Sequence, residues 1–196
     1  MKYHIKAERI SLDDLRKRIE ETDLVPSRAS LLDGLNTKTK VLEQHGVTTL
    51  AGLRKELKNF KRLVTLSKAA GIDTQYLILL RRKIEGYFPK PSALNAFNWL
   101  PGGKIAKLRE EKRIRHAAAL YEATSSVESR TELAKSTSVD VANLETLFRL
   151  ADLTRVQWVS PTAARMLIEA GYDSASKVSA ADAEDLCEAL VHVNGC

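Results

Sequence analysis

Cysteine is scarce in this chain. There are two residues, Cys187 and Cys196, both close to the C-terminus. Two thiols cannot build a disulfide framework, and the expectation is a pair of reduced structural thiols, with Cys187 buried on an apolar helix face. Aromatic residues make up only 6% of the chain and are not interleaved with the basic ones. That pattern argues against a base-stacking surface, so Trp99 and Trp158 are expected to pack in the core or in a linker. No apolar run approaches the roughly 20 residues of a membrane span. The segment from Met1 to Arg9 lacks the apolar stretch of a secretion signal. The expectation is a cytoplasmic protein without a membrane partner.

Catalytic signatures are missing too. There is no P-loop, dinucleotide fingerprint, H-E-x-x-H or G-x-S-x-G. Gly102-Gly103-Lys104 stands alone, without the rest of a phosphate loop. His4, His45, His116 and His192 show no metal-ligand spacing with each other or with the cysteines. Cys187 lies five residues from His192, but a nucleophilic pair needs a third group to orient it. Asp13/Asp14, Glu20/Glu21 and Glu184/Asp185 read as helix-end and surface charges. The expectation is no enzyme, no cofactor and no metal.

Charge is what the chain does have. The net charge is +6 and the sequence pI about 9.3. Residues 1–115 carry 25 Lys/Arg against 13 Asp/Glu, and residues 116–196 carry 6 against 12. A basic half fits a polyanionic partner, while the acidic part could attract a basic surface, including a neighbouring copy.

The chain also repeats itself. Residues 66–85 and 133–152 align without a gap at a shift of 67: Leu66 on Leu133, Ile72 on Val139, Asp73 on Asp140, Leu77 on Leu144, Leu80 on Leu147 and Arg82 on Arg149. Such self-similarity marks two copies of one supersecondary unit. With one residue inserted, Leu108 corresponds to Leu42 and Ile114 to Val47. A partial third copy starts at Leu167, where Leu167 to Gly171 reads like Leu42 to Gly46.

The periodicity is helical throughout. Ser11 caps a helix with Leu12, Leu15 and Ile19 inward. Asn36 to His45 forms another, closed by Gly46. A third has Leu50, Leu53, Leu57 and Phe60 along one face, with Arg54, Lys55, Lys58, Lys61 and Arg62 opposite. Gly71 ends the helix that follows, and Ser138 takes its place in the second copy. A last helix runs from Asp182 to His192. Pro89 and Pro91 forbid helix and mark a linker. The expected fold is all-α, about ten short helices with almost no strand. Residues 1–88 would form the first unit, 89–103 the linker, and 104–196 the second unit with the partial third copy.

Residues 156–172, V-Q-W-V-S-P-T-A-A-R-M-L-I-E-A-G-Y, resemble the helix-hairpin-helix pattern. Pro161, Ala164, Leu167, Ala170, Gly171 and Tyr172 stand at the matching places, but Trp158 and Ser160 replace the two turn glycines. The first unit keeps one turn glycine, Gly34. The chain as a whole resembles an uncharacterised bacterial domain family built from tandem helix-hairpin-helix-like (SAM-like) units. The stretches that carry the likeness are L-V-P-S-R-A-S-L-L-D-G-L at 24–35, L-R-R-K-I-E-G-Y-F-P-K-P at 80–91 and L-F-R-L-A-D-L-T-R-V-Q-W-V-S-P-T-A-A-R at 147–165. The resemblance implies a fold and no activity. It also implies a further C-terminal element beyond Cys196.

The functional expectation is a non-catalytic binding module. Its partner would be nucleic acid, contacted without sequence preference by the basic N-terminal half. The residues expected to serve are Lys38, Lys40, Arg54, Lys55, Lys58, Lys61 and Arg62, extended by Arg81, Arg82 and Lys83. Gly102, Gly103, Lys104 and Lys107 join them, because in helix-hairpin-helix proteins hairpin amides and nearby lysines hold a phosphate. The alternative is a protein-interaction scaffold or self-associating helical adaptor.

Overall fold

The computed structural model describes residues 2–97 and 102–195. Among these the fold is all-α: twelve α-helices, three short 3-10 turns and no strand. Trp99, Pro101 and Cys196 lie outside the described residues. The chain divides into two compact units, Ile5–Tyr87 and a second made of residues 2–4 with 88–195.

In the first unit, α1 (Leu12–Glu20) starts at Ser11, whose hydroxyl accepts from the Asp14 amide while the Asp14 carboxylate accepts from the Ser11 amide. This reciprocal cap satisfies two amides that a helix start leaves open. Helices α2 (Leu35–Gln44), α3 (Leu50–Lys58), α4 (Phe60–Ala70) and α5 (Thr74–Glu85) follow. Leu50, Leu53, Leu57, Leu63, Leu77 and Ile84 are buried where α3, α4 and α5 meet. Each fully buried leucine contributes roughly 1.5–3 kcal/mol of hydrophobic stabilisation.

The second unit holds α6 (Gly102–Glu111), α7 (Ala117–Ala123), α8 (Val127–Thr137), α9 (Val141–Leu153), α10 (Pro161–Glu169), α11 (Ala175–Ala180) and α12 (Ala183–Asn194). The sequence shift of 67 is a structural one. Helices α3, α4 and α5 start at 50, 60 and 74, and α7, α8 and α9 at 117, 127 and 141. Gly71 (φ +63°) and Ser138 (φ +54°) share the same left-handed cap. Leu50 N–H donates to the Ile10 carbonyl and Leu12 N–H to Thr48, as Ala117 N–H does to Ser92 and Leu94 N–H to Arg115. The inserted residue is visible as well: Val47 N–H bonds the Leu42 carbonyl, Ile114 N–H that of Leu108 and Tyr172 N–H that of Leu167.

Two expectations meet a different structure. Within the stretch 89–103, read as a linker, Leu94 and Phe97 are fully buried in the core of the second unit. Residues 2–4 also belong to that unit. Tyr3 is 2% exposed, its hydroxyl donates to the Thr154 carbonyl at 2.9 Å, and its own carbonyl accepts from Arg155 at 2.8 Å. Arg155 also donates to the Tyr121 hydroxyl and the Asp152 carboxylate, whose other oxygen accepts the Ala175 amide at 2.8 Å.

Candidate nucleic-acid interface

The break between α3 and α4 shapes the basic face. Thr49 caps α3 by accepting the Gly52 amide, and the leucine stripe turns inward, so Lys55 and Lys58 face solvent. Asn59 is extended (φ −97°, ψ 124°) and ends the helix. Its side-chain oxygen accepts the amides of Lys61 and Arg62, starting α4 in the same step. The helical spacing of the sequence ran through this residue and put Phe60 on the leucine face. The extended residue breaks that phase: Phe60 is 59% exposed as the first residue of α4. An exposed aromatic ring therefore sits between Lys58 and Lys61, which corrects at this one place the expectation that aromatic and basic residues are not interleaved; the continuous periodicity hid it by assigning Phe60 to the core.

Lys61 and Arg62 are exposed and line an open cleft of about 330 Å³ together with His45, Val47, Glu56, Thr65, Leu66 and Ala69. The lining mixes the cations of Lys61 and Arg62 and the Glu56 carboxylate with apolar Val47, Leu66 and Ala69. Arg62 reaches Glu56 at 3.4 Å, a long and solvated pair of the kind worth little. Lys55, Lys58 and Lys61 hold no ion pair among the described residues.

Other residues expected in the site are occupied, stand on other helices or belong to the second unit. Arg54 makes a two-pronged ion pair with Glu85, at 2.8 and 3.0 Å. The pair raises the guanidinium pKa and lowers that of the carboxylate. Lys38 donates to the Asp33 carbonyl and sits 3.8 Å above the Tyr76 ring. Lys40 is exposed on α2. Lys83, read as part of the strip, is only 7% exposed and packs over Tyr87; burial pushes its pKa down. Arg81 is half-buried and Arg82 exposed. Gly102, Gly103, Lys104 and Lys107 lie on α6 in the other unit, where Lys104 is paired with Asp140 and Lys107 is exposed. The structure thus gathers Lys55, Lys58, Lys61 and Arg62 at one helix junction of the first unit.

The unit Ile5–Tyr87 carries 17 Lys/Arg against 11 Asp/Glu, so the whole net charge of +6 resides there and the second unit is neutral. The thiol reading is also revised. Cys187 is exposed on α12 and not buried, because the inward positions of that helix are Leu186 and Leu190. His116 caps α7 through Nδ1. Among the described residues no group of three or more His, Cys, Asp or Glu could hold a metal, and no helix is long and apolar enough to cross a membrane. Trp158, expected in a core or linker, is 78% exposed in a left-handed turn (φ +68°) before α10. Trp158 lies inside a tight turn in which the Val159 N–H bonds the Val156 carbonyl at 3.2 Å.

Residues 104–195 match the family model of a domain of unknown function (DUF4332). No curated protein and no solved structure matches the chain.

Proposed function

We propose that this protein is a non-catalytic nucleic-acid-binding module acting through the first unit. The observation that carries the reading is the exposed set Lys55, Lys58, Lys61 and Arg62 at the α3–α4 junction, three of them without an ion pair among the described residues. Cations that are not internally neutralised can replace the counterions condensed on a phosphate backbone. The contact carries no sequence preference, because backbone phosphates are the same at every step. The left-handed turns at Gly34 and Trp158, each just before a helix, support taking the units as helix-hairpin-helix-like. On this reading the protein is a bacterial, cytoplasmic one and DNA is the natural substrate.

The test is a salt titration of binding to a labelled DNA fragment. The affinity of the wild type should fall steeply with salt, with a logarithmic slope of about 0.9 for each phosphate neutralised. Replacing Lys58, Lys61 and Arg62 by Glu should weaken binding at least a hundredfold at low salt and flatten the slope by two to three. Binding that ignores both salt and the triple variant would refute the reading.

A second reading is favoured by Trp158. A large apolar ring at 78% exposure on a neutral unit fits contact with a protein or a second copy. Sedimentation of the wild type and Trp158→Ser at high concentration tests it: self-association lost in the variant supports it.

A further inference from the structure

We propose that the basic face is built for single-stranded nucleic acid, with Phe60 stacking on an unpaired base and the adjoining cleft holding the neighbouring phosphate. The inference rests on the nucleic-acid reading above and narrows it to one class of ligand.

Three observations converge on it. Phe60 is 59% exposed although an aromatic ring gains most from burial. It lies within two residues of Lys58, Lys61 and Arg62, all exposed. The helix that it opens also lines the cleft, where His45, Lys61 and Arg62 offer donors beside the apolar Val47, Leu66 and Ala69, while the Thr65 hydroxyl donates to the Lys61 carbonyl at 3.0 Å.

A ring flanked by cations is the arrangement that proteins use to hold single strands. The cations meet the backbone, and the ring meets a base face that every nucleotide offers. Duplex DNA presents the same phosphates but keeps its base faces stacked on each other, so it can use the lysines and not the ring. The cleft adds what a solvated lysine strip lacks: apolar ground for a sugar or base edge beside the phosphate donors. The Glu56–Arg62 pair is long enough at 3.4 Å for Arg62 to turn to a phosphate at small cost.

The experiment uses the whole chain, a fluorescein-labelled mixed-sequence 16-mer, and the same strand annealed to its complement. Anisotropy is read at fixed low salt for the wild type, Phe60→Ala and Phe60→Trp. The single strand should bind tighter than the duplex. Phe60→Ala should weaken single-strand binding about tenfold and leave duplex binding within twofold, stacking being the part removed. Phe60→Trp should retain single-strand affinity, and its extra emission relative to the wild type should be quenched on binding. Phe60 is exposed, so neither variant threatens the core. Equal affinity of Phe60→Ala and the wild type for the single strand overturns the inference while leaving the charge-based reading in place. So does an equal loss on both probes. Failure of the wild type to bind either probe overturns both readings.

Discussion

Tyr3 offers the sharpest perturbation of the fold, because it is buried against residues more than a hundred positions away, Tyr121, Thr154 and Arg155. Its ring is 2% exposed and packs edge-on against Tyr121 at 6.0 Å, and its hydroxyl donates to the Thr154 carbonyl. Truncation to Ala removes a buried aromatic ring, which costs about 3–5 kcal/mol. It also leaves a buried carbonyl without its donor, which costs about 1–3 kcal/mol more. The total is comparable to the roughly 5–15 kcal/mol of stability that a domain has. The loss falls on the second unit alone, since residues 2–4 belong to it and Ile5–Tyr87 forms its own core. Hydrogen exchange read by mass spectrometry separates the two. Amides of α7 and α9 in Tyr3→Ala should exchange at least about a thousandfold faster, a factor of ten for each 1.4 kcal/mol. Amides of α3 and α5 should keep their wild-type protection. Unchanged protection in α7 and α9, or equal loss in both units, would show that the N-terminal tyrosine does not hold the second unit together.

Further outcomes follow from the duplicated caps and from the buried phenols. Ser138 is exposed and holds the left-handed conformation that Gly71 holds in the first copy, so Ser138→Gly should stabilise the second unit by about 0.5–1 kcal/mol, seen as a rise of a few degrees in its melting transition. A drop would mean that the hydroxyl matters more than the strain. Burial first, and then the charge of Asp33, push the Tyr76 phenol up to about 12, while its hydroxyl donates to the Leu31 carbonyl. Its neutral form is favoured in the folded state, so its contribution is complete below the ordinary phenol value near 10 and is lost as pH climbs from 10 to 12, at up to roughly 1.4 kcal/mol per unit. Burial also raises Tyr3, Tyr87 and Tyr121, so urea midpoints should decline together above pH 10, and phenolate absorbance at 295 nm should lag behind that of the unfolded chain.

What the sequence made legible was local and periodic. The register of the repeat, the caps at Ser11, Gly71 and Ser138, and the leucine stripes could all be read because each depends on neighbours within a few residues. What it hid depends on distance or on a single residue. Asn59 is one polar residue in a helical run, and nothing in the spacing says that it takes an extended conformation and turns Phe60 out. Arg54 and Glu85 are 31 residues apart, so periodicity could place Arg54 on the outer face without revealing that its charge is already matched. Lys83 occupies the position that Leu150 fills in the second copy, both buried. The repeat itself carried that warning. Tyr3 had no local signal at all, since its partners Thr154 and Arg155 lie some 150 residues on.

The two copies also separate what the scaffold needs from what the first unit added. At the shift of 67, four buried positions of the helix stripes stay apolar: Leu50 meets Ala117, Leu53 Leu120, Leu77 Leu144 and Leu80 Leu147, whereas Leu57 meets Thr124, Leu63 Arg130 and Lys83 Leu150. The outward positions of the α3–α4 junction do not. Lys55, Lys58, Lys61 and Arg62 correspond to Glu122, Ser125, Glu128 and Ser129. Phe60 corresponds to Val127, which is exposed to a similar degree, so the fold dictates exposure at this place and leaves the residue type open. A cationic face and an aromatic ring are therefore no requirement of the helices beneath them, because the other copy builds the same helices with carboxylates and hydroxyls. The second copy is a control within the same chain: transferring Phe60, Lys61 and Arg62 onto positions 127–129 should bring phosphate affinity with it, while costing about 1 kcal/mol because it removes the Ser129 half of the reciprocal cap and the Glu128 carboxylate from the first turn of α8.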